Sequence, residues 1–408
     1  MGCKVALGDV CSFHRGASVP RVRMYDAGDY LYIHYGDLYR GFNLRIDVED
    51  PAKPIPYILR GERIKDSQRL EDQDIVYVLT SETVDDLGHA FLFNNPIGRP
   101  AVSGTETTIV RVERRDLVVP AYLNYLMISP QFVGQLRQYT RGMKVFRVHP
   151  NDVARIEVDL PPIETQHRVV AILDAIYAKQ QVNTKLNGYL EELAVLEFER
   201  RFRSNCPRIE LNRVLNISTE ALRPQNCTGE LWEHYSIPAF DNNRMPVFEP
   251  ADEIKSNKYI VNPNCILVSK LNPSTKRVWL PICQSKRAVC STEFIVYEPK
   301  NPAHKSFYYA AISSREFTDY LLAHVTGSTG SRQRSQPKAT LAYPMPNPNP
   351  VSIADYCAFA DPIYKQMQIN QIESMHLQLI RDALLPKLMS GEIDVSEVDL
   401  TQLNSHLA

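Results

Sequence analysis

The feature that most constrains this chain is a long helical segment that occurs twice. From Ile163 to Phe202 no proline interrupts the chain, and Leu160-Pro161-Pro162 stands at its head. Proline fits the first turn of a helix and breaks it elsewhere, so the diproline reads as a start. Apolar residues follow at three- and four-residue spacing: Val169, Leu173, Ile176, then Val182, Leu186, Leu190, Leu193 and Leu196, with a slip of phase near Gln180 and Asn183. At 1.5 Å per residue, ~38 residues span roughly 57 Å, the length of a coiled-coil arm. The segment Asp174-Ala-Ile-Tyr-Ala-Lys-Gln-Gln-Val-Asn183 recurs as Asp361-Pro-Ile-Tyr-Lys-Gln-Met-Gln-Ile-Asn370, an offset of 187 residues. The second helix is predicted to end between Pro386 and Gly391, with Pro386 loosening its last turn.

The offset holds upstream. Ala101-Val102 matches Ala288-Val289, Glu106 matches Glu293, and Pro161 falls on Pro348. The half-chains open alike, Val5-Ala-Leu-Gly-Asp-Val10 against Ile209-Glu-Leu-Asn-Arg-Val214. A period this long is no solenoid repeat; it is a tandem duplication of globular segment and helix. The order within each globular segment is short strands first, then a helical stretch. In the first these are Tyr30 to Tyr35, Asp74 to Thr80 and Thr107 to Val112, then a helix from Ala121 to Gln138. The second repeats the plan with Cys265 to Ser269, Phe294 to Tyr297 and a helix from Phe307 to Ala323. The fold class is therefore α+β.

A chain of 408 residues with 44% hydrophobic content accommodates two domains with sizeable cores. No run of 18 apolar residues and no basic-then-apolar N-terminus occurs, so neither a membrane span nor a signal peptide is expected. The eight cysteines form no C-x-x-C pair, which points to packed, reduced thiols and a cytoplasmic protein.

A net charge of −1 argues against nucleic acid, but the distribution argues for it. No Asp or Glu occurs from Leu117 to Asn151, where Arg137, Arg141, Lys144 and Arg147 lie. The equivalent run from Tyr320 to Ala354 holds Arg332, Arg334 and Lys338 and is also free of acids. A third such run lies between Glu253 and Glu293. Basic runs at equivalent places attract phosphate and release counterions.

Catalytic motifs are missing. There is no G-x-G, no P-loop, no Asn-Pro-Pro-Phe of adenine-methylating enzymes, no G-x-S-x-G and no H-E-x-x-H. Glu253-Ile-Lys255 has the E-x-K of a nuclease metal site but no upstream partner motif.

The chain resembles the specificity (S) subunits of type I restriction-modification systems. Leu160-Pro-Pro-Ile-Glu-Thr-Gln166 is similar to the opening of that family's first long helix, and Leu384-Leu-Pro-Lys-Leu-Met-Ser-Gly-Glu-Ile393 to the close of its second. Leu271-Asn-Pro273 with Val278-Trp279, and the loop from Thr326 to Arg334, resemble features of its target recognition domains. Thr165 stands where the family usually has Glu, and the second proline opening, Asn347-Pro-Asn-Pro350, is degenerate.

The resemblance implies a target recognition domain at 1–160, a spacer helix at 161–204, a second recognition domain at 205–350, a second spacer helix at 351–391 and a tail at 392–408. The helices would pack antiparallel as a coiled-coil arm separating the domains, turning a tandem repeat into an approximate two-fold. It also implies a non-catalytic subunit that needs no cofactor and binds no metal. Its partners would be double-stranded DNA with a bipartite site, two methyltransferase (modification) subunits, and restriction or translocase subunits that can join. The residues expected on DNA are Arg141, Lys144 and Arg147 in the first domain. In the second they are Lys270, Lys276, Ser328, Thr329, Arg332 and Arg334. The alternatives are a specificity subunit of another methylation or defence system, and a structural adaptor binding protein through both domains.

Overall fold

The computed structural model describes residues 2–39, 42–51, 53–84, 86–204, 206–326 and 333–399. It divides into two compact units, Met1–Ala178 with Gln378–Ala408, and Lys179–Leu377. Each unit is a mixed α/β domain joined to parts of both long helices. No helix among the described residues is long and apolar enough to cross a membrane.

The first unit is built on a five-stranded sheet in the order Cys11–Arg15, Thr107–Val112, Ile75–Val78, His89–Asn94, Arg45–Asp47. Beside it lies a three-stranded sheet of Tyr57–Ile58, Tyr30–Ile33 and Ala101–Ser103. The central strand Ile75–Val78 is buried throughout, which explains its unbroken apolar run. The second unit repeats the plan. Leu215–Ser218, Phe294–Pro299, Ile266–Ser269 and Val278–Trp279 form one sheet, and a five-stranded sheet includes Ala288–Ser291 and Leu231–Tyr235.

The single helix expected from Ala121 to Gln138 is two, Pro120–Met127 and Pro130–Arg137. Ser129 ends one and caps the other, its Oγ accepting from the Phe132 amide at 3.3 Å. Proline after a capping serine restarts a helix rather than continuing it. The second unit does the same without proline. Lys305–Ser313 and Arg315–Ala323 meet at Ser314, whose Oγ accepts from the Phe317 amide.

Both long helices run for 40 residues, Ile163–Phe202 and Pro350–Met389. The start of the first is fixed by the buried Gln166. Its amide donates to the Leu117 and Pro161 carbonyls and its Oε1 accepts from the Val119 amide. The degenerate opening of the second works as a cap: Asn349 Oδ1 accepts from the Ser352 amide at 2.9 Å, ahead of Pro350 at the first helical position. Helix continues through Pro386 to Met389, and the chain turns away at Gly391, φ 73°. The described residues that follow, up to 399, pack back on the first unit. Val395 is buried in the first unit's core with Leu385, Leu388, Val169 and Leu173, and Arg168 Nη1 donates to the Val398 carbonyl at 3.2 Å.

Within the second unit the helices run antiparallel along a polar seam. Gln180 Nε2 donates to the Ser374 carbonyl at 3.1 Å, and Asn187 Nδ2 to the Met367 carbonyl at 3.0 Å. These contacts are repeat mates, because Met367 is Gln180 shifted by 187 and Ser374 is Asn187 shifted by the same number. Between them Asn183 meets its own equivalent, Asn370, with Nδ2 to carbonyl at 3.3 Å. The phase slip in the sequence is this seam, where buried amides replace apolar residues and fix the register. Asn183→Leu, which strands the seam's acceptors, is expected to destabilise the protein by about 1–3 kcal/mol. Asn370 accepts through its main-chain carbonyl while its own amide donates to Asn187 Oδ1, so Asn183→Leu with Asn370→Leu strands a further acceptor and should be less stable than Asn183→Leu alone. Chemical denaturation of the two variants measures the difference.

Each domain is tied to the first long helix by an arginine, a carboxylate and a tyrosine. In the first unit Asp174 receives Arg45 at 2.5 Å and Tyr125 at 2.8 Å. In the second Glu191 receives Arg244 at 2.6 Å and Tyr309 at 3.0 Å. Burial pushes the Glu191 carboxyl up, but Arg244, Lys276 and Tyr309 overcome it and hold the pKa below the ordinary glutamate value. A depressed carboxylate stabilises the fold above its unfolded pKa and loses that contribution as pH falls through the native value. Unfolding free energy measured from neutral pH to about pH 3 should therefore fall more steeply for the native chain than for Glu191→Gln.

Candidate nucleic-acid interface

The basic loops end in small three-stranded patches. In the first unit Phe146–Arg147 pairs with Thr80–Ser81, and Arg147 also exchanges both backbone hydrogen bonds with Arg141. Arg147 is thus the central residue, between Arg141 and Thr80. The turn between Arg141 and Arg147 needs Gly142, whose φ is 116° and whose Cβ would stand 2.1 Å from the Val145 carbonyl oxygen. At its tip Met143 is 94% exposed, beside exposed Lys144 and Val145.

The second unit builds the same patch. Arg334–Ser335 pairs with Val325–Thr326, and Arg334 bridges to Leu271 on its other side. The Ser335 amide donates to the Lys270 carbonyl and the Asn272 amide to the Gln333 carbonyl. Asn272 has a φ of 48°, the left-handed conformation that asparagine tolerates. This is the Leu271-Asn-Pro273 turn singled out in the sequence.

The structure brings Arg141, Lys144 and Arg147 together, and Lys270 with Arg334. Lys276 is exposed a few residues beyond the Leu271-Asn-Pro273 turn, its pKa lowered by the surrounding protein and its charge felt by Glu191, Arg244 and Glu199. Ser328, Thr329 and Arg332 lie outside the described residues.

The runs without acids in sequence do not stay so in space. Arg141 pairs with Asp152 at 3.0 Å, Arg147 with Glu106 at 3.5 Å, and Arg334 with Glu293 at 3.1 Å. Among the described residues, Lys144 and Lys270 have no carboxylate within ion-pair distance. Both are candidates for phosphate contacts, whereas the paired arginines are held in defined orientations.

Sequence reasoning missed the polar and aromatic side chains beside the first patch. Ser81 Oγ donates to Asp86 at 3.2 Å, Asp86 meets His89 at 2.7 Å, and His89 stands edge-on to the half-exposed Tyr39 at 5.2 Å. Such groups can hydrogen-bond base edges or stack, but no spacing in the sequence joins them.

Among known proteins, residues 3–192 match the family model described as the Type I restriction modification DNA specificity domain. Over 377 residues the chain is 23% identical to the specificity subunit of the type I restriction enzyme MjaIX from Methanocaldococcus jannaschii, covering 84% of each chain. Its fold is similar to that in the crystal structure of the S subunit of a type I restriction-modification system from M. genitalium. That likeness has a TM-score of 0.51 at 12% identity and covers 95% of this chain and 96% of that one.

Proposed function

We infer that this chain, which is similar to type I restriction-modification specificity subunits, is a sequence-specific DNA reader with two reading domains. The observation that carries this is the repeated patch, an arginine between two strands with a basic or polar turn beside it, once in each unit. Each domain reads one half of a bipartite site. Lys144 and Lys270 contact phosphates and fix the register, while the arginine, methionine and asparagine side chains of the turns approach base edges in the major groove.

The chain positions chemistry that its partners perform. Methyl transfer belongs to two modification subunits that bring the donor site with them. A helical docking face supports the pairing. Val182, Leu186, Tyr189, Leu193 and Leu196 are exposed at alternating four- and three-residue spacing, the seam of a helix awaiting another helix. The second long helix exposes Ile369 and Ile380, the repeat mates of Val182 and Leu193. The mates of Leu186, Tyr189 and Leu196 are Glu373, His376 and Ala383, so the face repeats only in part, and it is the duplication of the whole unit that suits two copies of one partner.

The test is reconstitution with the cognate methyltransferase, followed by mass measurement and methylome sequencing of a host carrying both. The expected result is two methyltransferases per chain, methylation at a bipartite motif, and no methyl transfer by the chain alone. One methyltransferase per chain, or a continuous motif, would overturn the two-reader assignment.

A further inference from the structure

We propose that Glu106 and Glu293 are positioning residues for sequence reading, each aiming the central arginine of its patch; this rests on the function inferred above. The two ion pairs are the same pair twice. Arg334 is Arg147 shifted by 187 residues, and Glu293 is Glu106 shifted by the same number. Each arginine occupies the middle of its three-stranded patch, and each glutamate comes from the turn before the long sheet strand, Thr107–Val112 or Phe294–Pro299.

A carboxylate beside a phosphate-binding loop opposes DNA binding. Its presence at both equivalent places therefore calls for another role. Stability does not supply one, because the pairs are half-exposed and surface ion pairs contribute little. A simple turn does not supply one either. Glu106 has a φ of 58°, a conformation that favours glycine, so its side chain carries the reason for its being there.

The contacts show what that side chain does. Glu106 accepts from Thr80 Oγ1 at 2.7 Å while pairing with Arg147, so it grips the arginine and the strand beside it. Glu293 accepts from both Nε and Nη2 of Arg334, at 3.1 and 3.3 Å, and its carbonyl accepts from the Lys270 amide. A guanidinium held on one side by a carboxylate has its remaining N–H groups fixed in direction, as bidentate recognition of a guanine edge requires.

The experiment uses the full chain with its methyltransferase. Glu106→Gln and Glu293→Gln keep the side-chain shape and one acceptor oxygen but lose the charge. If the glutamates position, Glu106→Gln admits a second base at a position of the first half-site, and discrimination there falls by tenfold or more. The second half-site stays intact and serves as the folding control. Glu293→Gln does the reverse, and Arg147→Lys reproduces the Glu106→Gln motif because a lysine cannot present two parallel donors. An unchanged motif, with tighter binding to all DNA alike, would overturn the proposal and leave the glutamates as charge shields. Failure of the native complex to methylate a bipartite motif would instead overturn the function on which the proposal rests.

Discussion

Duplicating residues 180–183 and 367–370 together should lengthen the gap between the two half-sites by one to two base pairs and leave both half-sites unchanged. Each long helix begins in one unit and ends in the other, so an added turn adds length between them along the chain. A helical turn rises about 5.4 Å and DNA about 3.4 Å per base pair. Four residues rotate the helix by close to a full circle, so the buried face remains buried. The polar seam requires that the insertions be paired. Gln180 stays opposite Ser374 and Asn187 opposite Met367 only if both helices grow. Repeating the turn that ends in Asn183 and the one that ends in Asn370 yields two asparagine rungs where there was one. The same four residues added to one helix alone should shift one side of the seam by a turn and sharply reduce active complex. Two residues added to each rotate everything beyond by roughly 200° and should abolish recognition. The methylated motif of each variant is the measurement, and an unchanged gap in the fully active paired duplication would show that the helices are not the ruler.

Replacing residues 1–155 with those of a relative should change one half of the methylated motif completely and the other not at all. Each unit has its own sheets, core clusters and basic patch, so on the proposed function each should read its half-site independently. The exchange succeeds only if the donor covers the second helix's end. In this chain Gln131 donates to the Pro386 carbonyl, and Leu385 and Leu388 enter the first unit's core. A donor with a mismatched residue at Phe132 or Leu136, both in that core, should give a destabilised but correctly specific hybrid. Methylome comparison tests the specificity, and a change in both halves would reject independent reading.

The duplication and the long helices were legible because both leave periodic marks. A constant offset survives divergence wherever two copies keep the same contacts, and Asn183 and Asn370 keep theirs by facing each other. The division of the short helices was not legible from spacing. Tyr125, Phe132 and Leu136 keep seven- and four-residue spacing across Ser129, and the break is made by Ser129-Pro130, where the serine caps the second helix. The charge of the interface was misjudged for a different reason. Asp152 and Glu293 bound acid-free runs and Glu106 lies further upstream, yet the fold sets them against Arg141, Arg334 and Arg147 respectively. The chemistry of a patch depends on neighbours across strands, which a linear count does not see. The same holds for Lys276, four residues from Asn272 in sequence and within electrostatic reach of Glu191 on the long helix.

The burial of Val395 in the first unit bears on how the protein is made. A ribosome delivers Met1–Ala178 well before Leu385, Leu388 and Val395, which complete that unit's core. Lys179–Leu377 is one continuous piece and is complete before then. At about 5–20 residues per second, the first unit waits at least ten seconds with part of its apolar surface uncovered. The first unit therefore completes its core only after the second has been delivered whole, and a chain cut before Leu385 loses part of the core that packs on Met1–Ala178.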